Sequence, residues 1–193
     1  MNSPFSTELQ LTIFSRPAVL LAAPSALAAV SIKGQTLHSL FSIKVRNGEE
    51  AGFEMMDDRN RSLRRLLFSN VKLLIIDEIS MVSSVMLAKV RNRLREIGDS
   101  QEEFGGFNII VFGDLLQLPP IKANPVYVGI SAYHVRKTFG GMGNPRNLWH
   151  EFELYELTAN MRQKNDSMFC DISKNKAVFY HKNMVLYLAS SNQ

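Results

Sequence analysis

Short apolar runs, each stopped abruptly by a polar or turn-forming residue, mark the first two thirds of the chain. Val19 to Ala22 is ended by Pro24, Lys72 to Ile76 by Asp77-Glu78, and Asn108 to Phe112 by Gly113-Asp114. Runs this short, without polar alternation, predict strands covered on both faces, as in the middle of a parallel sheet. Between them the period becomes helical. Val82, Met86, Val90 and Leu94 recur every four residues within 81–97, with Lys89, Arg91, Arg93 and Arg95 off that register. An amphipathic helix is expected there. Ala26 to Val30 is predicted helical, Thr36 caps a short helix reaching Phe41, and Arg61 to Phe68 resumes helical spacing. The basic residues at 59–65 and 89–95 read as solvated helix faces, where charge runs usually lie.

Other segments carry weaker patterns. Leu9 to Phe14 has strand composition, and Asn47 to Asn60 reads as a polar loop. Ile121 to Arg146 contains Gly140, Gly141, Gly143 and Pro145 and reads as an insertion or long loop. Leu148 to Phe152 is a helical turn, Glu153 to Leu157 a strand, and Asp166 to Ile172 a helix start, while the last twenty residues lack clear periodicity. Strands alternating with helices predict an α/β fold with a parallel sheet.

Composition narrows the class. The 193 residues are 46% hydrophobic with 22 Lys+Arg against 18 Asp+Glu, a net charge of +4. That suits one globular domain and excludes wholesale disorder. The single cysteine, Cys170, excludes an intrachain disulfide framework and a cysteine-clustered zinc site. His38, His134, His150 and His181 include no H-x-x-x-H pair. No apolar run is long enough for a membrane span. Pro17 to Ala23 with Ala26-Leu27-Ala28 imitates a signal-peptide core and cleavage site, but Glu8 and Pro24 favour a buried strand entering a turn. Glu8 is the sole acid before Glu49, which leaves a mitochondrial presequence open.

The candidate chemistry sits where strands stop. An apolar strand that delivers Asp77-Glu78 at its carboxyl end suits phosphate hydrolysis: the Asp holds magnesium, usually through water, and the Glu orients and deprotonates the attacking water. Taken alone, two acids at a strand end are also what any solvated loop provides. Asp114 and Gln117 come after a second such strand, so Asp-Glu and Asp-x-x-Gln are expected at the same sheet edge, where ligands of open α/β sheets bind. Gln117 there would sense a γ-phosphate or the water, and Pro119-Pro120 stiffens the backbone beyond it.

These segments together resemble the Pif-type superfamily-one DNA helicases, related to RecD and including the helicase part of Helitron transposons. Ala23 to Ala29 resembles A-P-T-G-x-A-A, and Gly34 to Phe41 resembles G-x-T-I-H-S-x-F. Asp77 to Met81 matches D-E-I-S-M, Phe104 to Pro120 reads like F-G-G…G-D-x-x-Q-L-P-P, and Leu157 to Gln163 matches L-T-x-N-M-R-Q. Five motifs in family order span 23 to about 170.

The resemblance implies a RecA-like P-loop NTPase sheet flanked by helices, incomplete, using ATP and Mg2+. It implies catalytic roles for Asp77, Glu78, Gln117 and Arg162, with Asp114 also at the nucleotide and Asp77 at the metal. Arg162 resembles the arginine that reaches the γ-phosphate from the second motor domain. It implies DNA contacts from Pro24, Ser25, Thr36, His38, Ser39 and Phe41, although Phe41, at helical spacing from Leu37, fits a core position better than base stacking. The implied activity is ATP-dependent 5′→3′ unwinding in DNA repair, recombination and telomere maintenance. The implied partners are single-stranded DNA and duplex junctions, the enzyme being monomeric, off membranes, and nuclear or mitochondrial.

Three departures qualify it. Ser25 replaces Thr and keeps the hydroxyl; Ala26 replaces Gly and loses its freedom to approach DNA closely. No glycine is followed by lysine, so the family's G-x-x-G-x-G-K-[ST] loop is not in this chain. Resemblance fades after about Ile172. The expected layout is a divergent 1–17, a partial first RecA-like domain at 18–157, the start of a second at 158–173, and a foreign-looking tail at 174–193. Such a fragment is expected to be inactive alone. The alternatives are a non-catalytic remnant that binds single-stranded DNA or a partner, and a P-loop ATPase that does not act on DNA.

Overall fold

The computed structural model describes residues 17–46, 49–50, 52–140, 147–157 and 184–189. A six-stranded sheet forms the centre. Its members are β1 (Val19–Ala23), β2 (Gln35–Thr36), β5 (Leu73–Ile76), β6 (Asn108–Val111), β7 (Glu153–Leu157) and β8 (Met184–Ala189), in the order β2-β1-β5-β6-β8-β7. The first four run parallel, with Ala22 opposite both Gln35 and Ile76, and Ile76 opposite Val111. β8 runs antiparallel to β6 and β7. Burial alternates along β5 and β6, one face fully buried and the other half-buried or exposed, so the expectation of equal cover on both faces is met on one side only. Leu74, Ile76, Ile109 and Val111 are fully buried.

The helices form where the spacing places them. α1 (Ala26–Ser31) is capped by Ser25 and α2 (Leu37–Leu40) by Thr36. α3 (Asp58–Phe68) starts earlier than the apolar spacing indicates, because the Asp57 carboxylate accepts from Asn60 N at 2.8 Å and opens the helix. The supposed loop before it also holds a two-stranded ribbon, β3 (Val45–Arg46) against β4 (Glu49–Glu50). After Asp77-Glu78 comes a 3-10 turn, Ile79–Met81, and then α4 (Ser84–Gly98), whose first turn is fixed by Ser83 Oγ accepting from Met86 N at 3.0 Å.

Two expectations need correction. The long loop at 121–146 contains α5 (Ala132–Phe139), capped by Ser131 and closed by Gly140 in the left-handed conformation. Its signal was the buried pair Val135 and Phe139, one turn apart. The basic faces are not all solvated: Arg64, Lys89 and Arg93 are 7%, 2% and 4% exposed. Arg93 comes after Met86 and Val90 and before Ile97 at three- and four-residue steps, so it falls within the buried stripe. The tail that showed no clear pattern contributes β8. Leu9 to Phe14 and Asp166 to Ile172 lie outside the described residues. Among the described residues, no helix is long and apolar enough to cross a membrane.

Candidate functional site

Parallel register brings four motifs to one edge. With Ala22, Gln35, Ile76 and Val111 aligned, four strand ends share one edge: Thr36 closes β2, Pro24-Ser25 follow β1, Asp77-Glu78 follow β5 and Gly113-Asp114 follow β6. The carboxyl edge of such a sheet is where ligands bind, because the loops there are free of the core.

The acidic junction is stitched to its neighbours. Asp77 N donates to Ala22 O at 2.9 Å, and Ile79 N to Phe112 O at 2.9 Å. Glu78 between them takes a left-handed conformation, φ 54 and ψ 47, and its N–H donates to Asp77 Oδ1 at 2.9 Å. A non-glycine residue held there is strained, and such strain collects at functional sites. The neighbouring strand permits it only because Gly113 has no side chain. A Cβ on Gly113 would lie 2.8 Å from Ile79 N and 3.1 Å from Ile79 Cγ2. Both acids are half-buried. Asp114 receives Leu116 N at 3.0 Å and Gln117 Nε2 at 3.2 Å. That bond ties the exposed Gln117 side chain back to Asp114.

The expected DNA-contacting residues divide. Ser25 Oγ accepts from Ala28 N and Thr36 Oγ1 from Ser39 N, each at 3.2 Å. A capping hydroxyl uses its lone pairs on the helix and keeps its O–H to donate. Pro24, His38 and Ser39 are half-buried on the same segments. Gly34 sets their position: a Cβ there would meet Leu21 O at 2.4 Å, so β2 closes on β1 only with glycine. Phe41 is a correction. It is fully buried, 6.0 Å from the Phe68 ring, and belongs to the core instead of stacking on a base. Arg162 lies outside the described residues.

The donor set fits magnesium. A hard dication of that kind binds through one or two carboxylates and keeps waters and phosphate oxygens. Among the described residues no group of three or more His, Cys, Asp or Glu could hold a metal. Asp77, half-buried at the strand end, is the carboxylate that would meet such an ion through water. The triphosphate fits less well, because no glycine–lysine pair occurs in the chain and the cradle of backbone N–H groups with its lysine is missing from these residues.

Arg64 and Arg93 were read only as solvated basic residues, and Gly113 only as part of the G-D-x-x-Q motif. The arginines grip the 38–42 turn from the core side, and Gly113 admits the Glu78 conformation. The sequence signal for Arg93 was its place in an apolar stripe, and for Gly113 its place in the Gly-Asp motif.

A parallel α/β sheet with paired acids at its carboxyl edge defines a RecA-like domain of the nucleotide-using class. A PIF1-like helicase domain matches residues 6–191, and the chain belongs to that family. The ATP-dependent DNA helicase PIF1 of Saccharomyces cerevisiae is 36% identical over 114 residues, 58% of this chain and 13% of that protein. The Candida albicans helicase of the same name is 29% identical over 159 residues, 81% of this chain and 17% of that protein. Among solved structures, Bacteroides sp Pif1 in complex with ADP-AlF4 gives a TM-score of 0.56 at 26% identity, over 90% of this chain and 40% of that one. Candida albicans Pif1 gives 0.51 at 28% identity, over 89% and 36%. The chain thus spans under a fifth of the length of these two curated relatives.

Proposed function

We propose that this chain is a first motor domain of an ATP-dependent DNA helicase moving 5′→3′, and that the chain alone binds single-stranded DNA without hydrolysing ATP. The observation that carries the reading is the shared edge: parallel register places Ser25, Thr36, Asp77, Glu78, Asp114 and Gln117 at the carboxyl ends of adjacent strands. Asp77 would hold a hydrated magnesium ion, which neutralises phosphate charge when bound. Glu78 would orient a water and accept its proton. Ser25, Thr36, His38 and Ser39 supply donors for the phosphates of a strand passing over β1 and β2. Unwinding at duplex junctions, service in repair, recombination and telomere maintenance, nuclear location and action as a monomer belong to the same proposal.

The missing glycine–lysine loop favours the second half of the reading, that these residues by themselves bind without turnover. The test uses the full 193-residue chain. Anisotropy with a labelled oligothymidine is expected to show binding that weakens with salt, with a log–log slope of about −0.7 per phosphate contact, unchanged by Mg-ATP. DNA-stimulated ATPase activity lost in Glu78→Gln would overturn inactivity of the chain alone. Absence of salt-dependent binding would overturn the DNA reading.

A further inference from the structure

The buried cations converge on one turn. Arg64 Nη2 donates to Ser39 O at 2.8 Å and to Ser42 Oγ at 3.0 Å, and its Nε reaches Ser42 Oγ at 3.3 Å. Arg93 Nε donates to Phe41 O at 3.0 Å, and its Nη2 to Glu54 O at 3.1 Å. Arg93 Nη1 pairs with Glu96 Oε2 at 2.5 Å, and its guanidinium lies 4.7 Å from the Phe53 ring centroid. Glu96 Oε1 in turn accepts from Met56 N at 2.7 Å.

This arrangement is costly for a purely structural device. Among the described residues Glu96 is the one buried acid, and it pairs with Arg93, while the buried Arg64 is held by Ser39 O and Ser42 Oγ. Arg64 Nη1 is buried with no hydrogen-bond partner among them. Burial, with Arg93 nearby, pulls the Arg64 guanidinium down to about 10. Apolar side chains would fill such a space at lower cost. What the two guanidinium groups provide, and apolar side chains cannot, is a fixed fork of N–H donors. Here it sets three oxygens of a turn that includes Ser42 at φ 50. The turn begins at His38 and Ser39, two of the residues assigned to DNA. Arg93 also stands on α4, which begins six residues after Glu78, so one helix links the turn to the acidic junction.

We infer that Arg64 and Arg93 are positioning residues for single-stranded DNA, fixing the 38–42 turn from the core side so that His38 and Ser39 meet the strand. The inference rests on the DNA reading above. Neither arginine touches the strand; both act through the turn.

The test uses Arg64→Lys, Arg64→Met, Arg93→Lys, Arg93→Met and Ser42→Ala in the full chain, with two readouts. Hydrogen exchange tracks the Phe41, Ser42 and Ile43 amides, with the β5 and β6 amides as a folding control. Anisotropy with labelled oligothymidine measures affinity and its salt slope. The Met variants should speed exchange in the turn while β5 and β6 stay protected. They should weaken DNA binding about tenfold, as expected for losing hydrogen bonds from a charged group, with the salt slope unaltered. The Lys variants and Ser42→Ala should fall between, and keep the inference testable if a Met variant fails to fold. Unchanged exchange in the turn would overturn the inference. So would a salt slope reduced by about 0.7, which would make the arginines direct phosphate contacts. Absence of binding by the unaltered chain would defeat the DNA reading and the strand-facing half of this inference, while the exchange readout would still decide whether the arginines hold the turn.

Discussion

Gly113→Ala tests the claim that one glycine makes room for the acidic junction. The substitution places a Cβ 2.8 Å from Ile79 N and 3.1 Å from Ile79 Cγ2, well inside van der Waals contact. The Ile79 N–H cannot simply step aside, because it donates to Phe112 O at 2.9 Å. Relief requires moving the Glu78–Ile79 peptide, whose Glu78 end is already at φ 54. Gly113 itself sits at φ 153, a conformation that side chains rarely adopt. Backbone strain of about 1–3 kcal/mol and overpacking of a similar ~1–3 kcal/mol together predict a loss of roughly 2–6 kcal/mol. Against a typical stability of about 5–15 kcal/mol the variant stays folded in most of that range but melts well below the parent. Urea denaturation at equilibrium, monitored by circular dichroism, measures the change. Gly129→Ala is the control, since nothing lies within 4 Å of its added Cβ, and it should stay within about 0.5 kcal/mol. If Gly113→Ala matched that control, the account of how β6 accommodates Glu78 would be wrong.

Ser83→Ala removes the hydroxyl that accepts from the Met86 N–H at 3.0 Å and opens α4; a loss of about 1 kcal/mol is expected from cap removal, and an unchanged urea midpoint would refute it. Asp57→Asn keeps a capping oxygen on α3 but removes the titration. The Asn60 backbone and side-chain N–H groups hold the Asp57 carboxyl below its ordinary value of 3.8. Its contribution is therefore complete above that value and lost as pH falls through the folded one. Thermal melts should show the parent losing ground to Asp57→Asn only below that region, and a pH-independent difference would count against the cap.

Much of the fold was legible because inner strands of a parallel sheet favour a short uninterrupted apolar run. β1, β5 and β6 each announced themselves in that way, and the polar or turn-forming residue ending each run marked the carboxyl edge. One helix start was legible because its cap, Thr36, stands beside the turn it serves, whereas α1 showed through its alanines and its Ser25 cap came from the structure. α5 was missed because the surrounding glycines and prolines outweighed the short Val135–Phe139 spacing. β8 was missed because strand pairing with β6 joins residues far apart in the chain, Val111 with Tyr187.

The sequence by itself determined which residue types lie at the strand ends and in what order, since an apolar run and the acid after it are neighbours in the chain. Only the tertiary structure decided what surrounds them. It put Phe41 against Phe68, turned Arg64 and Arg93 inward onto carbonyls of the 38–42 turn, and set Gly113 against Ile79. Each is a contact between distant segments, and its outcome depends on which groups share a space once the sheet has closed, which no local pattern records.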